Sequence, residues 1–323
     1  MKKVIVIFVT LSIIFLLISC SPQKQDFVRY GGQYYPGEFL LNGHDFFTPF
    51  GLSVEHTLFS SGTENNEALI SNNIDINVGS DSKSVALFNA VGDQVVIIGT
   101  VQRGNRYSTM ISPDSDYKDW ADLKGKKVGT RFGTGAEFVL RKYFDSRDDL
   151  NWDDFQWINL KTEDMISTLA HGQIEAFTVW APTGEIAEAQ GVGKLLRNFG
   201  DIALTPVLIH ADKKFAEENE DLIVKFLAAQ MIKAEMINTN PKLASKYAAE
   251  AAKNGGINVS ADAFELIFSR IDFSIEFDDS LIEELKNTAA FLQDQGKIEE
   301  IPQFYWETSY LEKAKKLLSN ESR

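Results

Sequence analysis

Apolar positions along the chain fall into two alternating rhythms. Short β-branched runs such as "DINVGS" (75–80) and "DQVVIIGTV" (93–101) are nearly continuous in apolar residues, which predicts buried strands. Helical spacing surrounds them: "NNEALISNN" (65–73) leads into the first run, and "SKSVALFNAVG" (82–92) joins the two. The rhythm resumes near Asp119. "WADLKGKKVGTRF" reads as a helical turn, a break at Gly125 and a strand, and "GAEFVLRKYFD" as a helix. "FQWINL" (155–160) is a strand, and "TEDMISTLAHGQ" (162–173) a helix capped by Thr162 and stopped at Gly172. "IEAFTVW" (174–180) is a strand, "TGEIAEAQG" a short helix, and "GKLLRNF" leads out. This alternation predicts an α/β protein of mostly parallel sheets flanked by helices.

The C-terminal third changes character. "NEDLIVKFLAAQMIKAEMINTN", "PKLASKYAAEAAKNGG" and "SADAFELIFSRI" are amphipathic helices. "SLIEELKNTAAFLQDQGKI" adds another, with a capping box of Ser280 and Glu283 and a stop at Gly296. These helices complete the outer layer of a first lobe. Two short crossings, near "QRGNRYSTMIS" and "DIALTP", divide the chain into two lobes joined by a double hinge. Residues 27–106 with 206–318 form the first lobe, and residues 107–205 the second.

The N-terminus follows neither rhythm. Residues 1–19 carry Lys2 and Lys3 and then an apolar run, the pattern of a secretory signal. The run is short for a membrane span. It ends in "LISC", which resembles a bacterial lipobox, and Cys20 is the only cysteine in the chain. The expectation is lipidation at Cys20, a tether over 20–26 and a body without disulfides. With 24% charged residues and a net charge of −14, the chain is a poor partner for nucleic acid.

The loop "GTRFGTGAEFVLRKYF" (129–144) has the outline of a phosphate cradle. A Walker loop needs a Lys after its second glycine, and a dinucleotide fingerprint needs G-x-G-x-x-G; both fail here. What survives is a helix start with free N–H groups, which suits a small anion. Thr130, Arg131, Gly133 and Thr134 add donors and backbone access, although a tight turn with Thr134 as cap reads equally from the loop alone. Trp180 ends a strand, where ligands of open α/β sheets bind, but a core Trp fits the same pattern. Ser80, Asp81 and Ser82 form a polar turn after another strand and suit either capping or a ligand. Tyr30, Tyr34 and Tyr35 sit in "VRYGGQYYPGEF" as an aromatic wall or as packing between lobes. His44, His56, His171 and His210 show no metal spacing, and no nucleophile motif or cofactor fingerprint is present.

A lipobox, two α/β lobes and no catalytic set resemble the solute receptor of an ABC importer. The segments "EALISNNIDINVGS", "WADLKGKKVGTRFGTGAEFVLRKYF" and "INLKTEDMISTLAHGQIEAFTVWAPTGEIAEAQG" are similar to the sulfonate/nitrate/taurine and thiamine-precursor group of type II periplasmic binding proteins, as is "TPVLIHADKKFAEENEDLIVKFLAA". "AHGQIEAFTVWAP" resembles that group's Trp-Glu-Pro segment, with Ala181 in place of the Glu. The resemblance implies a two-lobe fold and a ligand held between the lobes by Tyr34 or Tyr35, residues 80–82, residues 130–134 and Trp180. It also implies a monomeric receptor, lipid-anchored on the periplasmic or extracellular face, that hands its ligand to an ABC permease and its ATPase. No cofactor or metal is implied. The expected ligand is a small organic anion such as a sulfonate, carboxylate or nitrate, favoured by the Gly133–Thr134 loop and Arg131, or a heteroaromatic such as a pyrimidine, favoured by the tyrosines and Trp180. Two alternatives remain: an enzyme of the same fold acting on a pyrimidine or carboxylate through Asp81 or His171, and a sensor lipoprotein.

Overall fold

The computed structural model describes residues 27–321, so the signal, Cys20 and the tether lie outside the described residues. The chain begins with β1 (Phe27–Gln33), α1 (Pro36–Gly43), β2 (Ser53–Phe59), α2 (Gly62–Ile70), β3 (Ile76–Ser80), α3 (Asp81–Val91) and β4 (Val95–Gly104). It crosses to β5 (Tyr107–Ile111), β6 (Lys127–Thr130), α4 (Gly135–Asp145), β7 (Gln156–Asn159), α5 (Thr162–Ala170), β8 (Ala176–Trp180), α6 (Thr183–Ala189) and β9 (Lys194–Asn198). It returns through β10 (Val207–Asp212), α7 (Lys213–Glu218), α8 (Glu220–Thr239), α9 (Pro241–Asn254), α10 (Ala261–Arg270), β11 (Ile271–Asp272), α11 (Asp279–Asp294) and α12 (Ser309–Glu321).

The strands form two sheets, β11-β4-β10-β3-β1-β2 and β7-β6-β8-β5-β9. Both are mixed, which corrects the expectation of mostly parallel sheets. β1 pairs in parallel with β2 and β3, and β6 with β7 and β8. The strands that carry the chain between sheets are antiparallel to their neighbours. β4 leaves the first sheet and β10 re-enters beside it; β5 enters the second and β9 leaves beside it. An exit strand and a return strand laid side by side must run in opposite directions. β5 lies inside what reads from sequence as a crossing, and "GKLLRNF" holds β9 rather than an exit loop.

Helix starts also differ in detail. α11 is capped by Asp278, whose side chain accepts from Ser280 N, rather than by Ser280 with Glu283. Lys161 occupies the cap position of α5, with Thr162 its first residue.

Each sheet buries its own core. Val28, Tyr30, Ile76, Val78 and Ile209 sit under α8, α9 and α10 in the first. In the second, Trp120 is fully buried and packs edge-on against Phe144 and Phe155. A polar island interrupts the first core. His56 Nε2 lies 3.2 Å from Glu38 Oε2, and burial pushes the neighbouring Lys233 ammonium down to about 8. A Cβ at Gly32 would fall 2.5 Å from His56 Nε2, so the island requires glycine there. Gly32 and Glu38 flank the turn that carries Tyr34 and Tyr35.

Candidate functional site

Between the sheets lies a cleft of about 790 Å³, within the usual range for small-molecule sites. Its most buried cation is Arg106, 3% exposed, in the link between β4 and β5. Arg106 Nε donates to the Thr205 carbonyl at 2.6 Å, bonding the first crossing to the second. Thr205 holds φ +40, a region unfavourable to a β-branched residue. The guanidinium carbon lies 5.2 Å from the Tyr107 ring centroid and 5.9 Å from that of Tyr35. Among the described residues no carboxylate lies within ion-pair distance of it, but the buried Asp81 carboxyl is near enough that Arg106 opposes the upward push of burial on it. Burial pushes the Tyr107 phenol well above its ordinary value and that of Tyr35 upward, with Arg106 opposing both. Both phenols therefore stay neutral donors.

Three sides surround this floor. The first lobe contributes Gln33, Tyr34, Tyr35, Ser60 and the start of α3, with Ser80, Ser82 and Lys83. Ser80 precedes α3 without capping it, and its hydroxyl lies 3.2 Å from that of Ser82. The second lobe contributes Gly133, Thr134 and Gly135 at the start of α4, Thr162 and Glu163 of α5, and Trp180 beside Tyr107 in the β5–β8 register. The C-terminal segment contributes Leu292, Lys297 and Ile298.

Of the residues singled out from sequence, Tyr34, Tyr35, Ser80, Ser82, Gly133, Thr134 and Trp180 line the cleft. Three do not. Asp81 is 2% exposed, accepting from Ser82 N at 2.8 Å and from Thr288 Oγ1 at 3.1 Å. Thr130 is fully buried and donates to the Thr178 carbonyl across the β6–β8 pair. Arg131 is exposed and is not part of the lining. The loop also satisfies part of its own binding capacity. Gly133 N donates to Glu137 Oε2 at 2.8 Å, and Arg141 Nε donates to Glu137 Oε1 at 2.8 Å. Arg106 is therefore the buried cation of the lining, and Arg131 is not part of the lining. The crossing "QRGNRYSTMIS" contains Arg106, but nothing local in that stretch marks it as a cleft residue. Tyr107, Gln33, Ser60, Lys83, Gly135, Thr162, Glu163 and the three C-terminal residues were also missed. His171 is exposed at the end of α5, with Nδ1 2.7 Å from the Ser167 carbonyl, and does not line the cleft. Ala181 N donates to the Arg106 carbonyl at 2.8 Å, and its methyl group is buried.

Two sheets joined by two crossings, with a cleft between them, define the periplasmic-binding-protein fold. The crystal structure of the periplasmic aliphatic sulphonate binding protein SsuA from Escherichia coli superposes with a TM-score of 0.75 at 21% identity, over 88% of this chain and 93% of that one. The fold is shared with enzymes: the desulfurization enzyme DSZB superposes with a TM-score of 0.65 at 14% identity, over 93% of this chain and 100% of that one. Residues 37–244 match the family described as NMT1/THI5 like, and the chain belongs to that family. A putative binding protein of Brucella abortus is 28% identical over 220 residues, 66% of each chain. A putative aliphatic sulfonates-binding protein of Bacillus subtilis is 27% identical over 241 residues, 70% of this chain and 71% of the relative. The match thus spans about two thirds of these relatives.

Proposed function

We propose that the protein is an extracytoplasmic solute receptor that takes a small organic anion between its lobes and passes it to an ABC permease. The observation that carries this is Arg106, a buried guanidinium lining the cleft without an ion-pair partner among the described residues. Asp81 is engaged by Ser82 N and Thr288 Oγ1 rather than bonded to Arg106, and a sulfonate or carboxylate meets the planar guanidinium fork with two parallel hydrogen bonds. Tyr35 and Tyr107 add neutral donors beside it. The names of the Bacillus and Escherichia relatives favour a sulfonate among such anions. Residues 27–106 with 206–318, and residues 107–205, act as the two bodies that close on it. Cys20 carries the lipid, and the body works as a monomer at the membrane surface. The ligand leaves unchanged, without turnover.

Isothermal titration with methanesulfonate and longer alkanesulfonates tests the reading. Binding is expected in wild type, and Arg106→Met is expected to weaken it at least about 100-fold, the scale of a lost charge-assisted pair. Unaltered affinity in a folded Arg106→Met protein would remove the proposal.

A further inference from the structure

The C-terminal arm builds a side of the cleft that no local pattern announced. α11 ends at Asp294, and the chain turns at Gly296, φ +64, bringing Leu292, Lys297 and Ile298 to the lining. Three contacts hold the arm in place. Thr288 Oγ1 donates to Asp81 Oδ2 at the start of α3. Glu284 pairs with Lys142 of α4 at 3.2 Å. The Phe291 ring centroid lies 5.1 Å from that of Phe138, also on α4. The arm packs on the first lobe and reaches across to the second.

These groups differ in exposure. Arg106 is buried at the crossing, Leu292 and Ile298 are half-buried, and Lys297 is exposed. With Ala86, Leu292 and Ile298 are the aliphatic residues of the lining, so they are the saturated carbon surface offered to the body of an anion held by Arg106. Beside Arg106, Lys83 and Lys297 outnumber Glu163 among the charged residues of the lining; Lys83 is half-buried, while Lys297 and Glu163 are exposed and screened by water.

We infer that Leu292 and Ile298 are specificity-determining residues that read the part of the ligand remote from its anionic group. The ligand class is an organic monoanion with an apolar body, in preference to a zwitterion such as taurine. This rests on Arg106 holding the anion. Each methylene moved from water onto the apolar pair raises affinity about fourfold. An ammonium in the same place loses its water against carbon and meets two lysines against one exposed carboxylate, Glu163.

Titration calorimetry with methane-, propane- and hexanesulfonate and with taurine, on wild type, Leu292→Ala and Ile298→Asp, tests this. In wild type, affinity climbs along the alkane series, and taurine binds at least about tenfold more weakly than its isostere propanesulfonate. Leu292→Ala and Ile298→Asp weaken hexanesulfonate at least about tenfold more than methanesulfonate, whose remaining binding reports that the variants are folded. Binding of the series with no dependence on length, taurine equal to propanesulfonate, or equal loss for methane- and hexanesulfonate in the variants overturns this inference and leaves the receptor reading standing. No binding of any sulfonate to wild type overturns both.

Discussion

At Gly135 one hydrogen in place of a methyl group decides where Tyr107 rests. A Cβ there would lie 2.1 Å from the Tyr107 hydroxyl, and Tyr107 is buried at the cleft floor beside Arg106. Gly135→Ala is expected to cost about 1–3 kcal/mol through overpacking, despite the better helix propensity of Ala. It should weaken anion binding as well, because Tyr107 must move; urea unfolding and calorimetry on one sample read both effects. Thr134 poses a different question one residue earlier. Its Oγ1 donates to the Arg131 carbonyl at 2.6 Å and accepts from Ala136 N at 3.3 Å, so it caps α4 while lining the cleft. Loss of the cap alone costs about 1 kcal/mol of stability. Thr134→Ala is expected to reduce affinity by more than that, about tenfold or beyond; a loss confined to stability would leave Thr134 as a cap and nothing else.

Among the elements, α6 and α10 meet across the lobes near the crossings. Arg270 of α10 holds Glu188 at 2.7 Å, with Glu185 3.9 Å away and buried. Burial pushes the Glu185 carboxyl up to about 7, against an ordinary 4.5, with Arg270 opposing and Glu188 adding to the rise. A carboxyl raised in the native state binds its proton more tightly there than when unfolded. Its contribution to stability is present below the unfolded value and is lost as pH rises through about 7, an effect of about 3 kcal/mol at most. Glu185→Gln should flatten that part of the stability profile between about pH 5 and pH 8, measured by urea unfolding. A profile identical to wild type would show that Glu185 titrates normally.

Legibility also varies by element. β3, β4 and β8 were readable because they are buried on both faces and continuous in apolar residues. β2 lies at a sheet edge with alternating exposure, and β1 mixes Arg29 and two glycines into its run, so neither carries that signal. The loops at the helix starts were readable as local turns. Arg106 and the α11 arm were not, because their positions depend on Thr205, Asp81 and α4, contacts distant along the chain.

For the whole molecule, the decisive feature is that Arg106 sits within one crossing and bonds to the other. Rotation of one lobe against the other displaces each atom in proportion to its distance from the axis through those crossings. On the proposed reading the anionic head lies at nearly zero radius, and groups farther from the crossings travel wider arcs. Lengthening an alkanesulfonate should then change the dissociation rate far more than the association rate, which stopped-flow mixing can separate. Association that quickens with length in step with affinity would contradict this. A permease that spreads the rims pulls on the longest lever arm available. It peels the ligand's tail free first and scarcely shifts the head, so the last event in emptying the cleft is water taking the anion's place on the guanidinium.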